Sequence, residues 1–278
     1  MTKRTKGLIL NYAGVVFILF WGLAPFYWMV ITALRDSKHT FDTTPWPTHV
    51  TLDNFRDALA TYKGNNFLAA IGNSLIISVT TTAIAVLVGV FTAYALARLE
   101  FPGKGIVTGI ILAASMFPGI ALVTPLFQLF GDLNWIGTYQ ALIIPNISFA
   151  LPLTIYTLVS FFRQLPWELE ESARVDGATR GQAFRMILLP LAAPALFTTA
   201  ILAFIATWNE FMLARQLSNT STEPVTVAIA RFSGPSSFEY PYASVMAAGA
   251  LVTIPLIIMV LIFQRRIVSG LTACGVKA

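Results

Sequence analysis

The residues of this chain that could carry chemistry are few and clustered. The stretch from Phe162 to Pro190 reads FRQLPWELEESARVDGATRGQAFRMILLP and places Glu168, Glu170, Glu171, Arg174 and Asp176 within nine residues. Carboxylates in a first turn complement the helix dipole, and Gly177 can end that helix in a left-handed conformation. Thr179 and Gln182 follow with the spacing of a capping box, so a second short helix is expected through Phe184 into Leu189, before Pro190. Two short charged helices meeting at a glycine corner have the chemistry of docking. Arg174 and Asp176 are candidates for ion pairs with a partner, and Glu171 either contacts that partner or caps its own helix.

The remaining polar groups stand alone in apolar surroundings. Glu210, beside Trp208 and Asn209, either lines a cavity or sits at a helix end, because a carboxylate at membrane depth is expensive unless it faces water or a partner. Asn73 and Asn146 can bond a ligand's hydroxyls or a neighbouring helix. One cysteine, Cys274, and two histidines, His39 and His49, exclude a disulfide framework and the common multi-Cys and multi-His metal sites. The phosphate-binding pattern G-x-x-x-x-G-K-[ST] is absent, since the single Gly-Lys pair, Gly103 and Lys104, is followed by Gly105. The chain is therefore not expected to be an enzyme, and energy must come from another polypeptide or an ion gradient. An intramembrane enzyme ranks last, for want of a span histidine, paired carboxylates or a nucleophile motif.

The elements that position these residues follow from composition. The 278 residues are 56% hydrophobic and 11% charged, against roughly a quarter charged in an ordinary soluble domain. Six runs lack Asp, Glu, Lys and Arg: 7–34, 64–97, 105–131, 133–162, 186–209 and 240–264; no other run exceeds ten residues. A helix needs about 20 apolar residues to cross a bilayer, so six transmembrane helices are expected. The first follows Lys3, Arg4 and Lys6 but is too long for a signal peptide, and it reads as a retained helix. With the N-terminus inside, twelve basic residues fall on inner segments and six on outer ones, which places both termini in the cytoplasm. The net charge of +5 is thus topological and not a nucleic-acid footprint. Pro25, Pro118 with Gly119, Pro125, Pro145, Pro152 and Pro255 interrupt spans, and kinked helices around a cavity fit a transporter.

Three connections are long enough to be functional: outer 35–63, inner 163–190 and outer 215–239. In the first, Leu52, Phe55 and Leu59 have the spacing of a short amphipathic helix at the outer interface. The third carries Asn219, Thr220, Glu223, Arg231, Gly234, Pro235 and Glu239 and is polar enough to contact a docked protein. Trp21, Trp28, Trp135 and Trp167 fall near expected interfaces.

The inner stretch resembles the signature loop of ABC importer permeases, EAA, three residues, G, nine residues, I-x-L-P. Here it runs Glu171, Ser172, Ala173, then Gly177, then Ile187, Leu188, Leu189 and Pro190, with Ser172 as the one departure. ARLEFPGK at 97–104, MFP at Met116 to Pro118, WNEF at Trp208 to Phe211 and the ending QRRIVSGLTACGVK are similar to carbohydrate-uptake permeases of the maltose and trehalose type. The Cys274 position usually carries glycine or a small residue.

The resemblance implies an all-α membrane protein of type I ABC importer permease fold: an N-terminal helix and outer segment over 1–68, a permease core over 69–264 and a cytoplasmic tail over 265–278. It implies a prokaryotic inner or plasma membrane subunit of an ATP-driven sugar importer, the sugar being a neutral di- or oligosaccharide such as trehalose or maltose. Its implied partners are a second permease, two ATPase subunits that hold ATP and Mg, and an extracellular sugar-binding protein. Glu171, Ser172, Ala173, Arg174, Asp176 and Gly177 would couple to the ATPase. Asn73, Pro118, Asn146, Asn209 and Glu210 would line the sugar path, and Asn219, Glu223, Arg231 and Gly234 would meet the binding protein. No metal site is expected. The alternative is an ion-gradient-driven secondary transporter, which would want buried Asp, Glu or His in its spans.

Overall fold

The computed structural model describes residues 3–60, 66–232 and 241–275, and side chains over 11–60, 66–232 and 241–263. In chain order the helices are α1 (Lys3–Leu34), α2 (Asp53–Leu59), α3 (Phe67–Arg98), α4 (Lys104–Ser115), α5 (Val123–Asp132), α6 (Tyr139–Gln164), α7 (Glu168–Val175), α8 (Arg180–Ala183), α9 (Leu189–Leu191), α10 (Ala193–Trp208), α11 (Met212–Leu217), α12 (Val225–Ala230) and α13 (Tyr242–Gly275). Among the described residues no strand forms beyond one isolated antiparallel bridge between Arg35 and Val50.

The six expected segments take two forms, and they make six crossings where each bent pair counts as one span. Four are continuous apolar helices, Asn11–Leu34, Phe67–Arg98, Tyr139–Gln164 and Tyr242–Phe263. The other two are bent pairs, Lys104–Ser115 with Gly119–Asp132 at 88° and Arg180–Leu191 with Ala193–Trp208 at 70°. Proline placement explains both bends. Pro118 lacks an amide and disfavours helical backbone at Phe117, so the chain closes with short bonds from Met116 N to Ala113 O and from Ala121 N to Pro118 O, 3.2 and 3.0 Å. In the second pair Pro194 stands four residues after Pro190 and cannot donate to its carbonyl. The second short helix therefore does not stop before Pro190 as expected. It passes through a π turn at Phe184–Leu188 and Pro190 itself, then turns at Ala192. Pro145 and Pro152, by contrast, lie inside a continuous α6.

The chain divides into two compact units, 1–68 with 228–255 and 69–227 with 256–278. In the first, Arg35 is buried and ends α1. Its guanidinium donates to the carbonyls of Asp42 and Thr44 and lies 5.2 Å over the Trp28 ring. Asn54 Nδ2 donates to the carbonyls of Ala33 and Arg35, 2.9 and 2.6 Å, and Thr51 N donates to Leu34 O at 2.9 Å. The carbonyls that a helix C-terminus leaves open are thus satisfied by the connection that follows. This changes the reading of α2: its buried residues are Asn54 and Ala58, while Leu52 is exposed, because the Asn54 carboxamide must face α1.

In the second unit, α3, α6 and α10 pack in layers. At one end Ile77, Phe130, Leu142, Leu213, Leu217 and Val227 form a buried cluster. Midway, Ala85, Ala150 and Ala203 meet, small residues that let membrane helices approach closely. At the other end Leu96, Leu158, Phe162, Phe184, Leu188 and Ala192 pack together beneath α7. Arg35→Lys is expected to lower stability by about 2 kcal/mol, because an ammonium cannot bridge both carbonyls while stacking on Trp28. A thermal melt in detergent would register this as a lower Tm, and an unchanged Tm would remove Arg35 as the anchor of this segment.

Candidate functional site

Two sites are assembled in the second unit. The first is the corner at α7. Leu165 ends α6 in extended backbone and Pro166 follows, so α7 starts afresh at Glu168. Gly177 adopts φ +88°, Ala178 N donates to Ala173 O at 2.9 Å, and Gly177 N donates to Arg174 O at 3.1 Å. These two bonds are those of a Schellman motif, which satisfies the last carbonyls of the helix. Thr179 and Gln182 form the reciprocal capping box, with bonds of 2.8 and 3.3 Å, and start α8. Nothing lies within 4 Å of a Cβ built on Gly177, so its requirement is backbone conformation and not space.

The corner presents Glu171, Ser172, Arg174, Asp176 and Gly177 to solvent. Ala173 is buried, since it lies on the opposite face of the short helix and packs inward, so it cannot touch a partner as the motif suggested. Val175, 87% exposed, and Trp167, half exposed, join the presented surface. The sequence reading missed Val175; its signal was an apolar residue among charges one step from Asp176.

Behind the presented face, Glu170 is buried and accepts a 3.0 Å hydrogen bond from the Tyr94 hydroxyl of α3. Arg98, also buried, donates from Nη2 to Leu165 O at 2.6 Å and lies 4.4 Å over the Trp167 ring. The interface tryptophans Trp28 and Trp167 are therefore platforms for arginines.

The second site is a cavity of about 310 Å³ between α6, α10 and the break at Gly119. Its polar lining is Asn146, Thr154, Thr199, Thr207 and Glu210, and the lining residues include no Lys or Arg. The size sits at the lower end for small-molecule sites. Glu210 accepts from the amides of Leu213 and Ala214, 2.8 and 3.0 Å, and so caps α11. It stands just past the last residue of α10, and burial there pushes its carboxyl pKa up, while the backbone amides pull it down. Asn146 Nδ2 donates to Leu142 O at 2.8 Å, within α6.

Three residues expected on the path do not line this cavity. Asn73 is buried elsewhere: Nδ2 donates to the carbonyls of Ser221 and Glu223, 3.1 and 3.0 Å, and Oδ1 accepts from Tyr139 Oη at 2.7 Å. With Ser74 Oγ accepting from Val225 N at 2.8 Å, it clamps the connection after α11 to α3. Pro118 sits at the break itself and is exposed, leaving Gly119 and Ile120 to face the cavity. Asn209 is exposed and caps α10 by donating to Ile205 O at 2.8 Å.

The expected binding-protein contacts also separate. Glu223 is buried because the Asn73 clamp draws its backbone inward. Asn219 is exposed, but its Oδ1 accepts from the amides of Ser221 and Thr222 in an Asx turn. Arg231 is exposed, and Gly234 lies outside the described residues, as does the side chain of Cys274.

With this geometry in view, comparison with known proteins is specific. The family described as binding-protein-dependent transport system inner membrane component matches residues 85–272. The chain is 48% identical to the trehalose transport system permease protein SugB of Mycobacterium tuberculosis over 258 residues, 92% of this chain and 93% of that one. It is 42% identical to the trehalose/maltose transport system permease protein MalG of Thermococcus litoralis over 279 residues, 100% and 99% of the two chains. Its fold is similar to that of a chain in the crystal structure of a bacterial ABC transporter that imports the acidic polysaccharide alginate, with TM-score 0.79 at 21% identity, covering 95% and 98% of the chains.

Asn73→Ala is expected to release the Ser221–Val225 backbone from α3, a loss of about 1–3 kcal/mol for a buried group with three bonds. Hydrogen exchange would then speed up at the Val225 amide while the centre of α3 stays protected; equal exchange in the two proteins would contradict the clamp.

Proposed function

This chain belongs to the binding-protein-dependent transport system inner membrane components, and we propose that within the family it is the permease subunit of an ATP-driven importer of a neutral di- or oligosaccharide, such as trehalose or maltose. It spans the membrane several times, forms the path with a second permease and receives sugar from an extracellular binding protein. ATP and Mg are held by two ATPase subunits, and this chain takes no part in hydrolysis. The six charge-free runs hold no Asp, Glu or His for ion coupling, which leaves the ion-gradient alternative without support.

The observation that carries the reading is the α7 corner. A helix closed by a Schellman motif and followed at once by a capping box is stiff in both directions, and its exposed face carries Glu171, Arg174, Val175 and Asp176. Such an element transmits a push as a rigid body. Orientation by the basic-residue asymmetry puts it in the cytoplasm with both termini, where an ATPase reaches it, and puts 215–239 on the outer face.

The cavity supports neutral cargo. Asn146 and the threonines Thr154, Thr199 and Thr207 offer hydroxyl and carboxamide groups, while Glu210 would repel an acidic sugar and no lining cation would attract one. Of the residues first assigned to the path, Asn146 and Glu210 remain in this role.

The test is uptake in proteoliposomes that hold this chain with its partner permease and ATPases, supplied with loaded binding protein. Gly177→Ala adds only the left-handed backbone strain, about 1–2 kcal/mol, and is expected to lower ATP-dependent uptake partly. Gly177→Asp adds a charge to the presented corner and is expected to lose uptake together with the stimulation of hydrolysis by binding protein. Uptake that continued without ATP and collapsed with an ion gradient would replace this reading.

A further inference from the structure

Chain connectivity ties α7 to α6 on one side and to α8 and α10 on the other. It does not tie α7 to α3, yet the structure does so through side chains. Tyr94 and Arg98 are four residues apart in α3 and therefore share one face of that helix. Tyr94 Oη donates to Glu170 Oε1, Arg98 Nη2 donates to the Leu165 carbonyl that α6 leaves open, and the Arg98 guanidinium stacks on Trp167. All three contacts fall on residues 165–170, at the entry to α7, and none on the face that carries Glu171, Arg174, Val175 and Asp176. Beneath them the Tyr94 ring packs 4.6 Å from Phe184 and 6.3 Å from Phe162, which fixes its direction.

Burying both charges is costly. Arg98 and Glu170 are 5% and 7% exposed, and Arg98 Nε and Nη1 and Glu170 Oε2 have no hydrogen-bond partner among the described residues. An apolar pair would fill the same space at lower desolvation cost, so stability alone does not account for them. What the charged contacts supply is direction: one carboxylate oxygen, one carbonyl and one ring face fix α7 relative to α3. The opposite end of α3 is held as firmly, by Asn73 and Ser74 to the backbone of Ser221, Glu223 and Val225.

We infer that Tyr94, Arg98 and Glu170 are positioning residues that make α3 a strut of the transport stroke, fastening the coupling helix at one end while Asn73 and Ser74 hold the connection after α11 at the other. On this inference, displacement of α7 reaches the opposite end of the unit through α3 directly, in parallel with the covalent route through α6 and α10. It rests on the reading of 163–190 as the segment that meets the ATPase.

The experiment uses the full complex in liposomes with maltose- or trehalose-loaded binding protein, and records sugar uptake and ATP hydrolysis on the same preparation. Tyr94→Phe removes one hydroxyl and keeps the ring; Glu170→Gln removes the charge and keeps the shape. Each is expected to lower sugar transported per ATP hydrolysed by roughly three- to tenfold, within the span seen for mutations that alter coupling. Glu170→Gln leaves a carboxamide oxygen that can still accept from Tyr94 Oη, so the double variant should be at least as impaired as either variant alone. A cysteine at Val175 reports separately on ATPase docking by cross-linking. If that cross-link fails to form in the otherwise unaltered chain, the coupling reading itself falls. If it forms and the variants keep the same sugar-to-ATP ratio, or lose uptake and hydrolysis in proportion, the strut is overturned.

Discussion

In hydrocarbon every backbone N–H and C=O must find its partner within the protein, and this constraint orders the rest of the structure. Proline withholds a donor; bends occur at Pro118 and at Pro190 with Pro194, whereas α6 runs on through Pro145 and Pro152. Around Met116 to Ala121 the gap closes with bonds that reach back three residues, and the chain turns by 88°. At Phe184–Leu188 a π turn precedes Pro190, and the chain turns by 70° after Leu191. Both bends serve the second unit: the first sets Gly119 and Ile120 against the cavity, and the second carries the α7 corner over into α10. Irregular backbone is found where it shapes the candidate site.

Helix ends present the same problem in sharper form, and here the protein spends its few polar side chains. The Asn54 carboxamide closes the end of α1 alongside the Thr51 backbone amide, Arg98 takes the open carbonyl at the end of α6, Asn209 caps α10 and Glu210 opens α11. Most polar residues that could have been read as ligand contacts are thus committed to backbone. The cavity is left with Asn146, three threonines and Glu210, and the threonines Thr199 and Thr207 each give their proton to a carbonyl one turn back, at 2.8 and 3.0 Å. Their oxygens remain able to accept, a pattern suited to hydroxyl donors on a neutral ligand.

How far the sequence foretold this depends on what each signal encodes. Charge-free runs gave the number and place of the apolar segments because desolvated charge is so expensive. Gly177, Thr179 and Gln182 gave the corner almost atom for atom, because capping chemistry is local. Direction was hidden. Asn73, Asn146 and Asn209 look alike as isolated amides in apolar sequence, and a helix that is apolar on all sides offers no periodicity to say which one faces a cavity. Glu170 and Glu171 look alike in a first turn, but only the folded chain brings Tyr94 to the former and leaves the latter exposed. Glu223 looked like surface because it is charged, and its burial follows from an asparagine 150 positions earlier.

The same contrast separates the two faces of α7. Its presented residues are held only by their own helix, so they are free to match a partner surface, and Ser172 in place of alanine changes little there. Its entry residues are held by α3, through contacts whose geometry tolerates little change: a hydroxyl on one oxygen, a guanidinium on one carbonyl and one ring. The docking role proposed for α7 needs both properties at once. Without the adaptable face it could not seat, and without the fixed entry a push on it would be absorbed as local tilting. The short length of α7, eight residues between Glu168 and Val175, makes this division possible, because each residue is within two turns of an anchor.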